Sequence, residues 1–144
     1  MSDPLKRTGS CLCGAVSFEA TLKSNHVDVC HCSMCRKWGG GPAIGLQCER
    51  DIQLKGENYL TWYKSSDWAE RGFCNKCGSN LFCRVKEEVG DYFGIFASSL
   101  DNQDGLELTQ HIFIDNKPEY YDFADHCERL TEAQFLAQFA ESEG

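Results

Sequence analysis

Short runs in which apolar and polar residues alternate dominate the hydrophobic pattern of the chain. In the run GAVSFEA, the side chains of Val16, Phe18 and Ala20 would share one face of a strand. Similar runs predict further strands at 27–32, 43–48, 52–54, 60–63, 69–73, 80–85, 92–97 and 109–114. Turn-forming residues at 56–58 and 78–79 separate some of them. Many short strands of this kind are typical of a mostly-β fold with one or two small sheets.

One helix is predicted near the C-terminal end. Thr131 is placed to cap it, and Gln134 three residues later would complete a capping box. Leu130 and Phe135 have the spacing of a hydrophobic staple. Apolar residues follow at helical spacing, at positions 135, 136, 139 and 140. We expect this apolar stripe to pack against a sheet.

The size and charge of the chain restrict its partners. A length of 144 residues fits one domain with a core of its own. The net charge is −8, from 14 basic and 22 acidic residues, and an acidic surface repels the phosphates of nucleic acid. No apolar stretch approaches the length of a membrane span, and the first ten residues lack the apolar segment of a signal peptide. We therefore expect a soluble, cytoplasmic protein that binds neither nucleic acid nor membrane.

Ten cysteines in a chain of this length are the unusual feature of the composition. In the cytosol thiols stay reduced, so clustered cysteines indicate a metal site or catalysis, whereas a disulfide framework would need an exported protein. Seven of the cysteines form three groups, in the segments CLC at 11–13, CHCSMC at 30–35 and CNKC at 74–77. The others stand alone and are expected to behave as small buried apolar residues: Cys48, Cys83 and Cys127.

The first and third groups together predict a structural zinc site. In an extended strand residues two apart point to the same side, so Cys11 and Cys13 could bind one ion together. Cys74 and Cys77, followed by Gly78, have the spacing of a zinc knuckle. Two such pairs complete a tetrahedral Cys₄ site, whose metal contributes directly to the free energy of folding. The alternative is that these cysteines combine with the middle group in a mixed cluster.

The middle group predicts a different kind of site. Cys30, Cys32 and Cys35 supply three thiolates from one segment, and three protein ligands with one open position are the arrangement of a catalytic zinc. His31 would point the other way on an extended strand, so we expect it to pack or to support the ligands. The glycines at 39–41 leave room for a substrate or permit an unusual turn. A redox dithiol and an inert knuckle are the alternatives.

The charge of a three-thiolate zinc site favours sulfur chemistry. A Zn²⁺ ion with three thiolates has a local charge of −1, so it polarises a carbonyl less strongly than a zinc ion bound by three neutral histidines. Direct coordination nevertheless deprotonates a thiol outright. We therefore expect such a site to hold the thiol of a substrate as its thiolate.

Three ordered motifs place the chain beside a known family. The segments GSCLCGAVSFE, CHCSMCRK and RGFCNKCGSNLF resemble the family of glutathione-dependent formaldehyde-activating enzymes and centromere protein V. The later segment HIFIDNKPEYYDF resembles the final strand region of its bacterial members. The resemblance implies a zinc-stabilised β-tent of small antiparallel sheets over 8–123, with a short helical extension at 124–144 packed on it.

The resemblance also implies the ligands of two zinc ions per chain. The structural ion would be held by the first and third groups, namely Cys11, Cys13, Cys74 and Cys77. The catalytic-type ion, which we expect to be the more labile, would be held by Cys30, Cys32 and Cys35.

The family's founding activity implies a reaction and its substrates. That activity adds glutathione to formaldehyde, which is a carbon–sulfur lyase reaction in reverse, so the expected substrates are a small thiol such as glutathione and a small aldehyde. The carboxylates of glutathione would be held by a basic residue, with four candidates: Arg36, Lys37, Arg71 and Arg84. The alternative is a non-catalytic zinc module that binds a protein or a small thiol. Chromatin binding, as in the centromere branch, is disfavoured by the acidic charge.

Overall fold

The computed structural model describes residues 4–143, with side chains as far as residue 138. In chain order the strands are β1 Lys6–Ser10, β2 Ser17–Thr21, β3 His26–Cys30, β4 Ala43–Gln47, β5 Gln53–Lys55, β6 Leu60–Lys64, β7 Ala69–Cys74, β8 Asn80–Val85, β9 Phe93–Phe96, β10 Glu107–Ile112 and β11 Glu128–Arg129. The helices are α1 Ser33–Gly39 and α2 Glu132–Glu143, with 3₁₀ turns at Glu57–Tyr59, Ala97–Ser99 and Ile114–Asn116. The prediction of a mostly-β fold is confirmed.

The chain forms two compact units. Unit 1 contains residues 4–25 and 45–106, and unit 2 contains residues 26–44 and 107–143. Since the two segments of unit 2 are separated by more than 60 residues of unit 1, the functional groups of unit 2 come from distant parts of the sequence. None of the helices in the described part of the chain is long and apolar enough to cross a membrane.

Unit 1 contains antiparallel sheets, as predicted. Strands β1, β2 and β5 form a three-stranded sheet in that order. Strands β9, β8, β7 and β6 follow one another in a second set of antiparallel pairs, and the end of β4 pairs with β9. Val16, Phe18 and Ala20 are all buried, which confirms the face predicted for them. The ring of Phe18 packs edge-on against Phe82, with 5.1 Å between the centroids.

Unit 2 contains parallel pairs, which the sequence did not predict. Strand β10 lies between β11 and β3 and is parallel to both. Parallel neighbours need a long crossover connection. The segment that joins β3 to β10 includes the whole second part of unit 1, so hydrophobic alternation within each strand could not reveal this pairing.

Several element boundaries differ from the prediction. The strand predicted from residue 14 begins only at Ser17, because residues 11–16 form a turn. The strand predicted to reach residue 32 ends at Cys30, because Cys32 caps α1. Strands β1 and β11 and helix α1 were missed, since none of these short segments has a repeated apolar pattern.

The capping box of α2 is confirmed. The Gln134 N–H donates to the Thr131 hydroxyl at 3.1 Å, and the Thr131 N–H donates to the Gln134 side-chain oxygen at 2.9 Å. The ring of Phe135 contacts Phe113, which precedes the 3₁₀ turn Ile114–Asn116, with 5.6 Å between the centroids. Leu136 is 43% exposed, so the prediction that it packs against a sheet is wrong. Positions 139 and 140 of the predicted stripe lie outside the described side chains.

Removing the cap of α2 should cost a modest amount of stability. We expect Thr131→Ala to lower the free energy of unfolding by about 1 kcal/mol, because the Gln134 N–H loses its acceptor. Urea denaturation followed by circular dichroism measures the change. Thr131→Ser keeps the hydroxyl and serves as the control, and equal stability of the two variants would contradict the prediction.

Candidate metal centres

A turn after β1 brings the first two cysteines together. The Gly14 N–H donates to the Cys11 carbonyl at 3.2 Å, and the sulfurs of Cys11 and Cys13 lie 3.7 Å apart. The Val16 N–H points at the Cys11 sulfur at 3.3 Å. The sequence argument that both cysteines lie on one face of a strand is therefore wrong, although the two sulfurs do converge. The turn, and not the alternation of side chains along a strand, brings the two sulfurs together.

The third group forms the predicted knuckle. Cys74 ends β7, and the N–H groups of Lys76 and Cys77 point at its sulfur at 3.3 and 3.4 Å. Gly78 has a φ of 81°, and its N–H donates to the Cys74 carbonyl at 2.7 Å. A residue with a side chain would be strained in this left-handed conformation, so the glycine is what closes the turn.

The four sulfurs of these two groups meet in unit 1. The ligand atoms of Cys11, Cys13, Cys74 and Cys77 all lie within 4.8 Å of one another, and Cys13 and Cys74 are 3.8 Å apart. Tetrahedral zinc with Zn–S bonds of about 2.3 Å places its sulfurs about 3.8 Å apart. The donor set and spacing fit zinc, and this Cys₄ cluster could hold a metal ion.

Local hydrogen bonds favour the thiolate form of Cys77 in the Cys₄ cluster. The Ser79 hydroxyl lies 3.1 Å from the Cys77 sulfur and, with backbone N–H groups, lowers the pKa of Cys77 to about 5. The same hydroxyl accepts a hydrogen bond from the Leu12 N–H at 3.0 Å, which joins the two turns. A thiolate is the form that binds metal, so these contacts favour ligation.

The second cluster is built at the junction of β3 and α1 in unit 2. Cys30 ends β3, Cys32 is the N-cap residue of α1, and Cys35 lies in its first turn. The Cys35 N–H points at the Cys32 sulfur at 3.2 Å. The three sulfurs lie within 4.8 Å of one another, and no fourth His, Cys, Asp or Glu of the described residues joins them. This cluster could also hold a metal ion, with room for a further ligand from outside the chain.

The close approach of the three sulfurs in the second cluster limits how many of them can be charged. Cys32 and then Cys35, as close neighbours, raise the pKa of Cys30 well above its usual range. Three sulfurs this close cannot all be thiolates unless a positive charge lies among them. A thiophilic divalent cation such as Zn²⁺ would supply that charge, and a three-sulfur set leaves its fourth position open.

Helix α1 is capped by Gly40, one of the three glycines at 39–41, and the backbone there shows the role of this residue. Gly40 has a φ of 82°, and its N–H donates to the Arg36 carbonyl at 2.8 Å. It is therefore a left-handed helix cap, one of the two roles expected from the sequence. The Arg36 guanidinium donates to the backbone carbonyls of His31 and Asn116, at 3.0 Å each. Arg36 thus ties α1 to the chain on either side of it.

The other candidate basic residues have different surroundings. Arg84 stacks on the ring of Trp62, 3.6 Å from its centroid, and forms an ion pair with Glu70 at 3.1 Å. Arg71 is buried, whereas Lys37 is exposed.

The isolated cysteines lie outside both clusters. Cys48 is fully buried, and burial raises its pKa to about 12, so it behaves as the predicted apolar residue. The thiol of Cys127 donates to the Leu108 carbonyl at 3.0 Å. Cys83 is partly buried.

A hydrogen-bonded histidine pair beside the second cluster was missed by the sequence argument. His31 and His111 are both fully buried, with 2.8 Å between His31 Nε2 and His111 Nδ1. The carboxylate of Asp125 lies 2.9 Å from His111 Nε2, and the hydroxyl of Tyr121 lies 2.9 Å from His31 Nδ1. Burial, and then His111, lower the pKa of His31 to about 4. His31 is thus outside the cysteine cluster, as predicted, but its partners are distant in sequence and had no local signal.

Comparison with known proteins identifies the family. A sequence profile described as glutathione-dependent formaldehyde-activating enzyme matches residues 6–116. The chain belongs to this family. The match includes all seven clustered cysteines and β1–β10, so the resemblance stated from the three motifs is confirmed.

Relatives within the family support the assignment. A Schizosaccharomyces pombe protein named an uncharacterized lyase is 31% identical over 123 residues, which cover 85% of this chain and 89% of the relative. A Halomonas elongata protein named "putative glutathione-dependent formaldehyde-activating enzyme" is 33% identical over 125 residues, with 78% and 77% covered. The crystal structure of a Rhodobacter sphaeroides protein has a TM-score of 0.57 and 27% identity, covering 70% of this chain and 96% of that one.

Proposed function

We propose that the chain is a zinc-dependent carbon–sulfur lyase-like enzyme. It would add glutathione, or another small thiol, reversibly to formaldehyde or a related small aldehyde. The observation that carries this proposal is the convergence of three sulfurs, those of Cys30, Cys32 and Cys35, at the junction of β3 and α1, with no fourth ligand among the described residues. The family description and the names of the two relatives support the choice of reaction.

The proposal assigns two zinc ions per chain. The Cys₄ cluster of Cys11, Cys13, Cys74 and Cys77 would hold the structural ion, since four sulfurs complete a tetrahedron. The second cluster would hold the catalytic-type ion and leave one position for the thiol. Reduced thiols are needed for both sites, which is the reason for expecting a cytoplasmic location.

The chemistry follows from what the second cluster can do. When bound, zinc would lower the pKa of the incoming thiol and so supply a thiolate at neutral pH. In the forward direction a sulfur–carbon bond forms, the carbonyl π electrons move to oxygen, and the proton lost from the thiol is returned to that oxygen. The Cys35 N–H, 3.2 Å from the Cys32 sulfur, disperses charge on one of the three thiolates.

Residues outside the clusters would hold the rest of the thiol. A carboxylate of glutathione would be bound by one of the four basic residues proposed from the sequence. Lys37 is exposed and lies two residues after Cys35 in α1.

We also propose that 8–123 forms the family domain and that 124–144 is an extension packed on it. The contact between Phe135 and Phe113 is consistent with that packing.

Zinc content and catalysed exchange test the proposal on the same sample. Native mass spectrometry under reducing conditions should find two zinc ions per chain. Exchange between ¹³C-formaldehyde and its glutathione adduct, followed by NMR, should be faster with the protein than without it, and a chelator should remove the acceleration. Two bound ions without acceleration by glutathione or by other small thiols would contradict the enzyme and favour a non-catalytic zinc module.

A further inference from the structure

A continuous hydrogen-bonded chain runs through unit 2 from Asp125 to Tyr121. Its contacts are Asp125 to His111, His111 to His31 and His31 to Tyr121, at 2.9, 2.8 and 2.9 Å. With both rings neutral, one assignment of protons satisfies every contact. Asp125 accepts from His111 Nε2–H, His111 Nδ1 accepts from His31 Nε2–H, and His31 Nδ1 accepts from the Tyr121 hydroxyl.

His31 is held at every polar atom it has. Its N–H donates to the Ile112 carbonyl at 3.0 Å, and its carbonyl accepts from Arg36 Nε at 3.0 Å. Both ring nitrogens are in the chain described above. Because His31 stands between Cys30 and Cys32, its fixed ring restricts the backbone that carries both sulfurs.

The other end of the hydrogen-bonded series, at Asp125, is fixed as well. The Asp125 carboxylate lies 2.9 Å from the Cys127 N–H and 3.4 Å from Arg129, in addition to its contact with His111. The hydrogen bond from His111 holds the pKa of Asp125 well below its usual range, so the group is a carboxylate. The aromatic ring of Phe123 packs edge-on against both imidazoles, with centroids 4.8 and 5.6 Å away. Asp125 thus anchors the histidine pair through three different partners.

We propose that Asp125 and His111 are positioning residues for the second cluster, which is the three-cysteine site of Cys30, Cys32 and Cys35. Acting through His31, they hold Cys30 and Cys32 in the arrangement that binds the second metal ion. This inference rests on the metal site of the proposed function, but not on the thiol or the aldehyde that the site uses.

Metal release from the chain with both zinc ions bound tests the inference. We expect Asp125→Ala to raise the rate constant of zinc transfer from the three-cysteine site to a chromogenic chelator by about tenfold, the lower end of the effect of outer hydrogen-bond partners on metal affinity. Release from the Cys₄ cluster should be unchanged, which makes that cluster an internal standard. The Cys32→Ser variant, which lacks the second site, assigns the two phases.

Two further measurements separate positioning from general loss of packing. Asp125→Asn keeps an oxygen acceptor for His111 and should restore most of the wild-type release rate. The Co²⁺-substituted Asp125→Ala protein should show altered thiolate-to-metal and d–d absorption from the three-cysteine site. Asp122→Ala is the matched control, because Asp122 also pairs with Arg129, at 3.8 Å, and belongs to the same segment.

Three results would contradict the inference. Release rates and Co²⁺ spectra of Asp125→Ala equal to those of Asp122→Ala would show that the hydrogen-bonded chain does not act on the metal. Equal acceleration at both clusters would show loss of stability alone. A wild-type protein with one zinc ion would overturn both the inference and the proposed function. Two ions without catalysed exchange would overturn the proposed function only, and the release experiment would still decide the inference.

Discussion

Substitution of Cys32 by serine is expected to reduce the zinc content from two ions to one per chain and to abolish thiol-dependent catalysis. Cys32 is one of three sulfurs in its cluster, and it also caps α1 by accepting the Cys35 N–H at 3.2 Å. A serine hydroxyl can still cap the helix, but at neutral pH it is a poor zinc ligand beside two thiolates. Zinc binding at the three-cysteine cluster should therefore be lost, while the fold and the other zinc ion are kept.

Native mass spectrometry and the formaldehyde exchange assay measure this prediction. Cys127→Ser is the control in the same unit, because its hydroxyl can still donate to the Leu108 carbonyl in place of the thiol. We expect that variant to keep both ions and full activity. Full catalysis by Cys32→Ser, or two firmly bound ions in it, would mean that the three-cysteine cluster is not the reaction site.

Substitution of Cys74 by serine is expected to have the largest effect on stability. Cys74 is fully buried at the end of β7, and its sulfur approaches Cys13 and accepts contacts from two backbone N–H groups. Structural zinc sites contribute about 10–16 kcal/mol of apparent binding free energy, comparable with the whole stability of a small domain. We therefore expect unit 1 to lose its cooperative folded state when this site cannot form.

Urea denaturation and hydrogen exchange measure the loss. Cys83→Ser is the matched control, because Cys83 lies on the neighbouring strand β8 and outside both cysteine clusters. It should retain a cooperative transition and the zinc of the Cys₄ cluster. If Cys74→Ser were as stable as Cys83→Ser, the Cys₄ cluster would not be a structural metal site.

The spacing of the clustered cysteines predicted which sulfurs meet, but not the local structure that brings them together. The cysteines whose sulfurs meet in each cluster could be grouped from their spacing, because a C-x-C or C-x-x-C segment can reach one ion in few ways. The reason offered for Cys11 and Cys13 was nevertheless wrong, since a turn brings them together. A spacing of one residue keeps the two sulfurs close in a strand and in a turn alike. The grouping of Cys11 with Cys13 was therefore right although the predicted local structure was wrong.

Helix α1 was not predicted from the sequence because it is short. Seven residues are too few for an apolar stripe to be recognised, and its N-cap residue is a cysteine and not one of the usual capping residues. The helix was therefore missed, although it places Cys35 beside Cys32. The capping box of α2 was found because both of its hydrogen bonds lie within four consecutive residues.

The mostly-β class, the buried face of β2, the three cysteine groups and the family could be predicted from the sequence, because each depends on residues close together in the chain. The parallel pairing of β3 with β10, and the choice of one Cys₄ cluster over a mixed cluster, required the tertiary structure. The same holds for the chain from Asp125 through His111 to His31. These contacts join residues 14 to 82 positions apart, and their existence depends on which strands become neighbours when the core is buried.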